Sequence, residues 1–183
     1  MRNFKGSELG VINVANKPLP FKSDINTYNT DRYEVVEQLL KKASVKSIVI
    51  DDSQYLMANE LFDRSGEKNY EKFTDIAKNF RGLIHFINEL DQDDKIVYFL
   101  HHTEVGADGK EKCKTIGKML DEKLCVEGCF DIVLYCQDHE FYTQGNGIST
   151  AKTPEGLFDS AKIPNDLKAV DTAIRAYYGM GGD

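Results

Sequence analysis

Long apolar runs, an export signal, a C-x-x-C pair and an excess of basic residues are all missing from this sequence. No segment approaches the roughly 20 apolar residues that cross a bilayer, and Met1-Arg-Asn-Phe-Lys-Gly6 lacks the apolar stretch of a signal peptide. The expectation is a cytoplasmic protein that neither spans nor enters a membrane. The cysteines, Cys113, Cys125, Cys129 and Cys136, are not accompanied by clustered histidines, so they read as reduced, partly buried thiols rather than zinc ligands. Lys and Arg total 23 against 30 Asp and Glu, a formal charge of -7 that argues against a surface coated for sequence-independent DNA binding. A local basic loop remains compatible with that balance, as does docking of acidic surface into a basic groove of another protein. No internal repeat or low-complexity tract is present, and 183 residues suit one domain.

What is present alternates between strand and helix. Val11–Val14 is a β-branched strand that stops at the prolines of Asn16-Lys-Pro-Leu-Pro20, and Asp31–Lys42 places Tyr33, Val36, Leu39 and Leu40 on one helical stripe. Ser47–Ile50 is uniformly apolar, as expected of a strand covered on both faces, and runs into Asp51-Asp52. The spacing of Tyr70, Phe73, Ile76, Ala77, Phe80, Leu83, Ile84 and Ile87 predicts a long helix between Asn69 and Leu90 whose aromatics belong to the core. Lys95–Leu100 is a second buried strand, ending in His101-His102-Thr103-Glu104.

Beyond it, Gly106–Lys114 reads as a glycine- and lysine-rich loop, and Ile116–Leu124 as a helix. Phe130–Cys136 is a further strand, and Glu140–Thr143 with Ile148–Thr150 suggests a hairpin around Gln144-Gly-Asn-Gly147. A last helix begins near the N-cap Asn165 with Leu167, Val170, Ile174 and Tyr177 on one face, and Gly179–Asp183 should fray. The pattern predicts one α/β domain over 1–183, with a mainly parallel sheet and antiparallel strands at one edge.

Carboxylates at the C-terminal end of a buried parallel strand fall where α/β proteins place ligands. Four apolar residues followed by Asp51-Asp52 also form a Walker B-like string, the position from which P-loop NTPases hold magnesium. Five stretches, Gly10–Lys22, Ile48–Glu60, Lys72–Phe80, Lys114–Lys123 and Thr150–Phe158, resemble the phage RecA-like recombination ATPases, the single-strand annealing family of AAA-type cores. The resemblance runs from about Gly10 to Tyr178. It implies a RecA-like P-loop NTPase-type core in which Asp51 and Asp52 hold Mg²⁺, His102 or Thr103 senses a γ-phosphate, and Lys152 reaches a nucleotide or a neighbouring subunit. It further implies that the loop bearing Lys110, Lys112 and Lys114, with Lys118 beyond it, contacts DNA or a partner.

Family members begin with a strand and a G-x-x-x-x-G-K-[ST] loop that cradles phosphate. These 183 residues contain only Gly109-Lys110-Glu111 and Gly117-Lys118-Met119, neither of which satisfies that pattern. The expectation is therefore a non-hydrolysing binding protein, with no required cofactor and at most residual Mg²⁺ or ATP binding. Its partners would be DNA, a host DNA-handling complex or both, as for an anti-CRISPR inhibitor of a CRISPR nuclease, and a homodimer is expected. Two alternatives stand beside it. One is a truncated ATP-dependent recombination ATPase, and the other a metal-dependent nuclease using Asp51, Asp52, His101, His102 and Glu104.

Overall fold

A computed structural model describes residues 1–117 and 125–181, which divide into two compact units. The amino-terminal unit comprises Arg2–His102 with the stretch Thr115–Leu124. The carboxyl-terminal unit comprises Thr103–Lys114 and Cys125–Asp183, together with Met1.

The amino-terminal unit is built on a four-stranded parallel sheet. β1 (Leu9–Asn13) lies between β2 (Asn26–Asn29) and β3 (Ser47–Asp51), and β4 (Ile96–Phe99) pairs with the other side of β3. The central strands are apolar on both faces, and Leu9, Val11, Ile12, Ile48, Val49 and Ile50 are all buried. The edge strand β2 reads Asn-Thr-Tyr-Asn and is exposed throughout, so it carries no apolar signal in the sequence. β4, expected to be covered on both faces, is only half-buried along its length.

Three helices accompany this sheet. α1 (Tyr33–Lys42) buries Val36 and Leu40, and Lys95 Nζ donates to the carbonyls of Leu40 and Ala43, both at 2.9 Å, at its C-terminal end. α2 (Gln54–Asp63) has no counterpart in the sequence reading. α3 (Glu71–Asn88) packs against α1 and α2 and buries Ile76, Ala77, Phe80, Leu83 and Ile84. The expected aromatic core holds at Phe80 and fails at Tyr70, which sits just before the helix and is 86% exposed.

The carboxyl-terminal unit is antiparallel. Gly106–Lys114, read as a loop, contains the return strand of a hairpin, in which β5 (Thr103–Val105) pairs with β6 (Glu111–Cys113). A 3-10 turn spans Val126–Cys129. Next comes a three-stranded sheet in the order β7 (Tyr135–Gln137), β8 (Glu140–Tyr142), β9 (Lys162–Pro164). The expected strand over Phe130–Cys136 is confined to its end.

The hairpin itself is displaced. β8 pairs with β7 and β9 rather than with Ile148–Thr150, and the tight turn is Asp138-His139, whose φ values of 53° and 65° match the twist of a two-residue hairpin. Asn146 Oδ1 instead accepts from the backbone of Ile148 and Ser149, so the Asn-Gly signal marks a side-chain-capped loop. α4 (Leu167–Tyr178) starts one residue later than expected. Its N-cap is Asp166, whose side chain accepts from Lys168 N and Ala169 N, and it stops at Gly179 in the left-handed region at φ 65°.

The chain is thus α/β, with a parallel four-stranded sheet. Its antiparallel strands form sheets of their own rather than an edge of the parallel one. No helix among the described residues is long and apolar enough to cross a membrane. The helix expected over Ile116–Leu124 lies outside the described residues from position 118 onward, as do residues 182 and 183 of the tail.

Candidate functional site at the carboxyl edge of the parallel sheet

Parallel strands deliver their loops to one edge, and the register pairs Asn13 of β1 with Asp51 of β3. The loops leaving β1, β3 and β4 supply Lys17, Asp52 and His102 to a single cluster. Asp52 Oδ2 accepts from Lys17 Nζ at 2.9 Å, and Asp52 Oδ1 lies 3.0 Å from His102 Nε2. With Nε2 donating to the carboxylate, the His102 ring leaves Nδ1 as an acceptor. The ring of Tyr55 adjoins both donors, its centroid 5.3 Å from the Lys17 Nζ cation and 6.4 Å from the His102 ring, which stands edge-on to it.

Each loop is held from beneath. Buried Asn13 uses its amide twice on one residue, donating to Lys17 O at 2.6 Å and accepting from Lys17 N at 3.3 Å, which closes the turn that aims Lys17 back over the sheet. Asp52 has φ 58°, left-handed backbone that costs a non-glycine residue about 1–2 kcal/mol and that Asp tolerates better than most. Ser53, fully buried, donates its hydroxyl proton to Leu100 O at 3.1 Å. Its oxygen therefore accepts from His101 Nδ1 at 2.8 Å. His101 also packs against Phe80, with centroids 5.8 Å apart, while the backbone N–H of His102 donates to Gln54 Oε1 at 3.2 Å. Adjacent histidines are thereby sorted, His101 into the packing and His102 toward Asp52.

The neighbouring carboxylates are tuned in opposite directions. Burial and the adjacent Asp52 charge push Asp51 above the usual carboxylate range. Burial acts on Asp52 in the same sense, but hydrogen bonds from Lys17 and His102 outweigh it and hold Asp52 below that range. Lys17 is raised in turn, chiefly by its hydrogen bond to Asp52. Octahedral Mg²⁺ takes oxygen ligands. Each Asp52 oxygen accepts one of the chain's own donors, so a cation approaching this carboxylate would compete with Lys17 and His102 for its charge. Among the described residues no three His, Cys, Asp or Glu side chains converge as a metal-binding group.

Of the residues singled out by sequence, Asp51, Asp52, His101 and His102 meet at this edge. Thr103, Glu104, Lys110, Lys112, Lys114 and Lys152 belong to the other unit. There Thr103 begins β5, and Lys112 pairs across the hairpin with Glu104, so an acid faces the middle lysine of the basic run. Lys110 follows the turn closed by the Gly106 N–H to Lys110 O bond at 2.8 Å. The Lys152 backbone bridges Val133 in both directions. Lys118 lies outside the described residues.

Sequence reasoning missed Lys17, Asn13 and Tyr55. The signal available for Lys17 was its place in the loop after a buried strand, on the same sheet edge as Asp52. It also missed Glu127 of the carboxyl-terminal unit, a buried carboxylate that accepts from Cys113 N at 2.6 Å, Thr150 Oγ1 at 3.2 Å and Cys125 Sγ at 3.3 Å. Burial disfavours its charge, and these donors prevail, holding Glu127 below its usual range. All four cysteines are free. Cys113 and Cys129 are half-buried, in line with the expected partial burial, whereas Cys125 and Cys136 are exposed. Comparison with models of known families, with curated proteins and with solved structures gives no match to this chain.

Proposed function

We propose that this chain is a RecA-like protein that acts by binding rather than by phosphoryl transfer. The observation that carries the reading is the engagement of Asp52. The acid that would serve a metal-bound nucleotide is held by Lys17 at 2.9 Å and His102 at 3.0 Å. The partner class is DNA, a host DNA-handling complex such as a CRISPR nuclease, or both. The lysines at 110, 112 and 114 supply sequence-independent phosphate contacts.

Isothermal titration with a non-hydrolysable ATP analogue and Mg²⁺, followed on the same sample by DNA titration at low and moderate salt, tests this. The expected result is no nucleotide heat and DNA binding that weakens with salt and with replacement of the three lysines by glutamate. Magnesium-dependent ATP turnover abolished by Asp51→Ala would refute the reading.

One observation favours the alternative of an ATPase core. Asp51 and Asp52 end β3 while His101 and His102 follow its parallel neighbour β4, which sets an acidic and a polar strand end side by side. That reading predicts micromolar nucleotide affinity, which the same titration detects.

A further inference from the structure

The carboxylate of Glu127, which the binding function proposed above does not use, is shared by two cysteines. Glu127 lies in the 3-10 turn Val126–Cys129, and β6 packs against that turn. Oε1 accepts from the backbone N–H of Cys113 at 2.6 Å, and Oε2 accepts from the Cys125 thiol at 3.3 Å. The Cys113 thiol faces the same carboxylate and lies within electrostatic reach of Cys125. Two thiols from separate segments, one ending β6 and one preceding the turn, are thus gathered at a single side chain within one compact unit. The other cysteines are directed elsewhere. The Cys129 thiol reaches the Cys125 carbonyl at 3.9 Å, and the Cys136 sulfur accepts from Asn165 Nδ2 at 3.1 Å.

Access to the two sulfurs differs as a two-step exchange requires. Cys125 is exposed and Cys113 half-buried, so a small disulfide in solution meets Cys125 first and leaves Cys113 to resolve the adduct. Glu127 retains the Cys113 N–H and Thr150 Oγ1, at 3.2 Å, as donors when the thiols are withdrawn. Burial, helped by the Glu127 carboxylate, pushes both thiols up, so the exchange runs through a small thiolate fraction.

We propose that Cys113 and Cys125 form a reversible intrachain disulfide, a redox-sensitive fastener that ties the β5–β6 hairpin to the 3-10 turn. The Cys125 thiolate, its proton given up to water, attacks one sulfur of a small-molecule disulfide and expels the other as a thiolate. The Cys113 thiolate then attacks the Cys125 sulfur and expels the second small thiol. Together the two chain thiols lose two electrons and two protons, and the small disulfide is reduced to two thiols. The pair is independent of Asp52 and of any DNA contact, so it stands or falls separately from the binding function.

Incubation of the full chain with excess glutathione disulfide tests the proposal, with remaining thiols trapped by N-ethylmaleimide under denaturing conditions and peptides mapped by mass spectrometry. The expected product has lost two of its four thiols and carries a Cys113–Cys125 link that dithiothreitol reverses. Cys129→Ser should leave that reaction unchanged, and Cys125→Ser should abolish the link. The linked form should melt above the reduced form, because the link restricts the unfolded chain. A persistent glutathione adduct on Cys125, a link to Cys129 or Cys136, a link between two chains, or an unchanged thiol count would each overturn the proposal. An equal or lower thermal midpoint in the linked form would overturn its role as a fastener.

Discussion

The two units of this chain are held together in different ways. In the amino-terminal unit every one of the largest fully buried side chains is found, among them Phe80, Leu9, Leu40, Ile50 and Leu56, over a sheet of four- and five-residue strands. In the carboxyl-terminal unit no described strand exceeds three residues, and the buried apolar set is Val126, Ala151, Leu157, Leu167, Val170 and Ile174. What that unit lacks in apolar burial it partly replaces with polar fastening. Glu127 gathers three donors, and buried Asp171 pairs with Arg175 at 2.9 Å. Apolar contact is tolerant of small displacements, whereas a buried carboxylate leaves a large penalty if a donor is lost. The difference teaches that substitution should be graded by volume in one unit and by hydrogen bonding in the other.

The largest expected effect tests the packing half of that contrast. Phe80→Ala removes a ring with no exposed surface and should cost about 3–5 kcal/mol, read as a lowered urea midpoint by circular dichroism. Ile174→Ala in α4 should cost about 2–4 kcal/mol. If Ile174→Ala produces a separate early transition while Phe80→Ala does not, the two units unfold as independent bodies. A single shared transition in both variants would break the contrast at the level of cooperativity.

Backbone proximity provides the next test. A Cβ on Gly6 would fall on the backbone carbonyl of Asp24, an atom that cannot rotate away. Gly6→Ala should therefore destabilise the amino-terminal unit by about 1–3 kcal/mol, with faster amide hydrogen exchange in β1 and β3. Alanine at Gly147, where no atom lies within 4 Å but φ is 82°, is expected to cost only the left-handed penalty of about 1 kcal/mol.

At the sheet edge, adjacent carboxylates should respond oppositely to substitution. The Asp52 pKa is depressed in the folded state. Its contribution is therefore fully present above the unfolded value near 3.9 and is lost as pH falls through the folded one. Asp51 is raised, so folding is favoured by its proton and loses that support as pH rises through the elevated value. Asp52→Asn should cost about 1 kcal/mol at pH 7, a small figure because solvent screens the exposed Lys17 and His102, and the difference from the parent should vanish on acidification. Asp51→Asn should raise the midpoint at pH 7. Thermal melts from pH 3 to pH 8 read both, and parallel pH profiles for the two variants would break the assignment of opposite shifts.

Much of the amino-terminal unit was legible because its elements are long and apolar. Ser47–Ile50 and the period of Ile76, Ala77, Phe80, Leu83 and Ile84 each carry a pattern that burial alone explains. β2 was invisible because Asn-Thr-Tyr-Asn is an edge strand fixed by pairing to β1, not by hydrophobicity. The carboxyl-terminal unit was misread where local turn chemistry gave two candidates. Asn-Gly at 146–147 carries the stronger hairpin propensity, yet Asp138-His139 forms the turn, since pairing of β8 with both β7 and β9 outweighs it. At the site, Asp52 and His102 were legible as polar strand ends. Lys17 was not, because its position depends on the Asn13 amide folding a loop back across four residues, a contact that no periodicity encodes.

The smallest expected effect sharpens the comparison from the other side, because the apolar unit carries polar atoms that its packing leaves unmatched. Tyr33 Oη and Glu60 Oε2 are buried without a hydrogen-bond partner among the described residues, and burial together with the nearby Glu60 charge pushes ionisation of Tyr33 upward. Glu60 has compensation through its other oxygen, which accepts from Arg64 and Asn79, whereas the hydroxyl of Tyr33 has none among the described residues. Tyr33→Phe keeps the ring and removes the oxygen, so the unfolding free energy from a urea titration should change by no more than about 0.5 kcal/mol, with any change toward greater stability. A loss of 1 kcal/mol or more would mean that the hydroxyl is satisfied in solution. Polar fastening would then extend into the unit that the contrast assigns to packing.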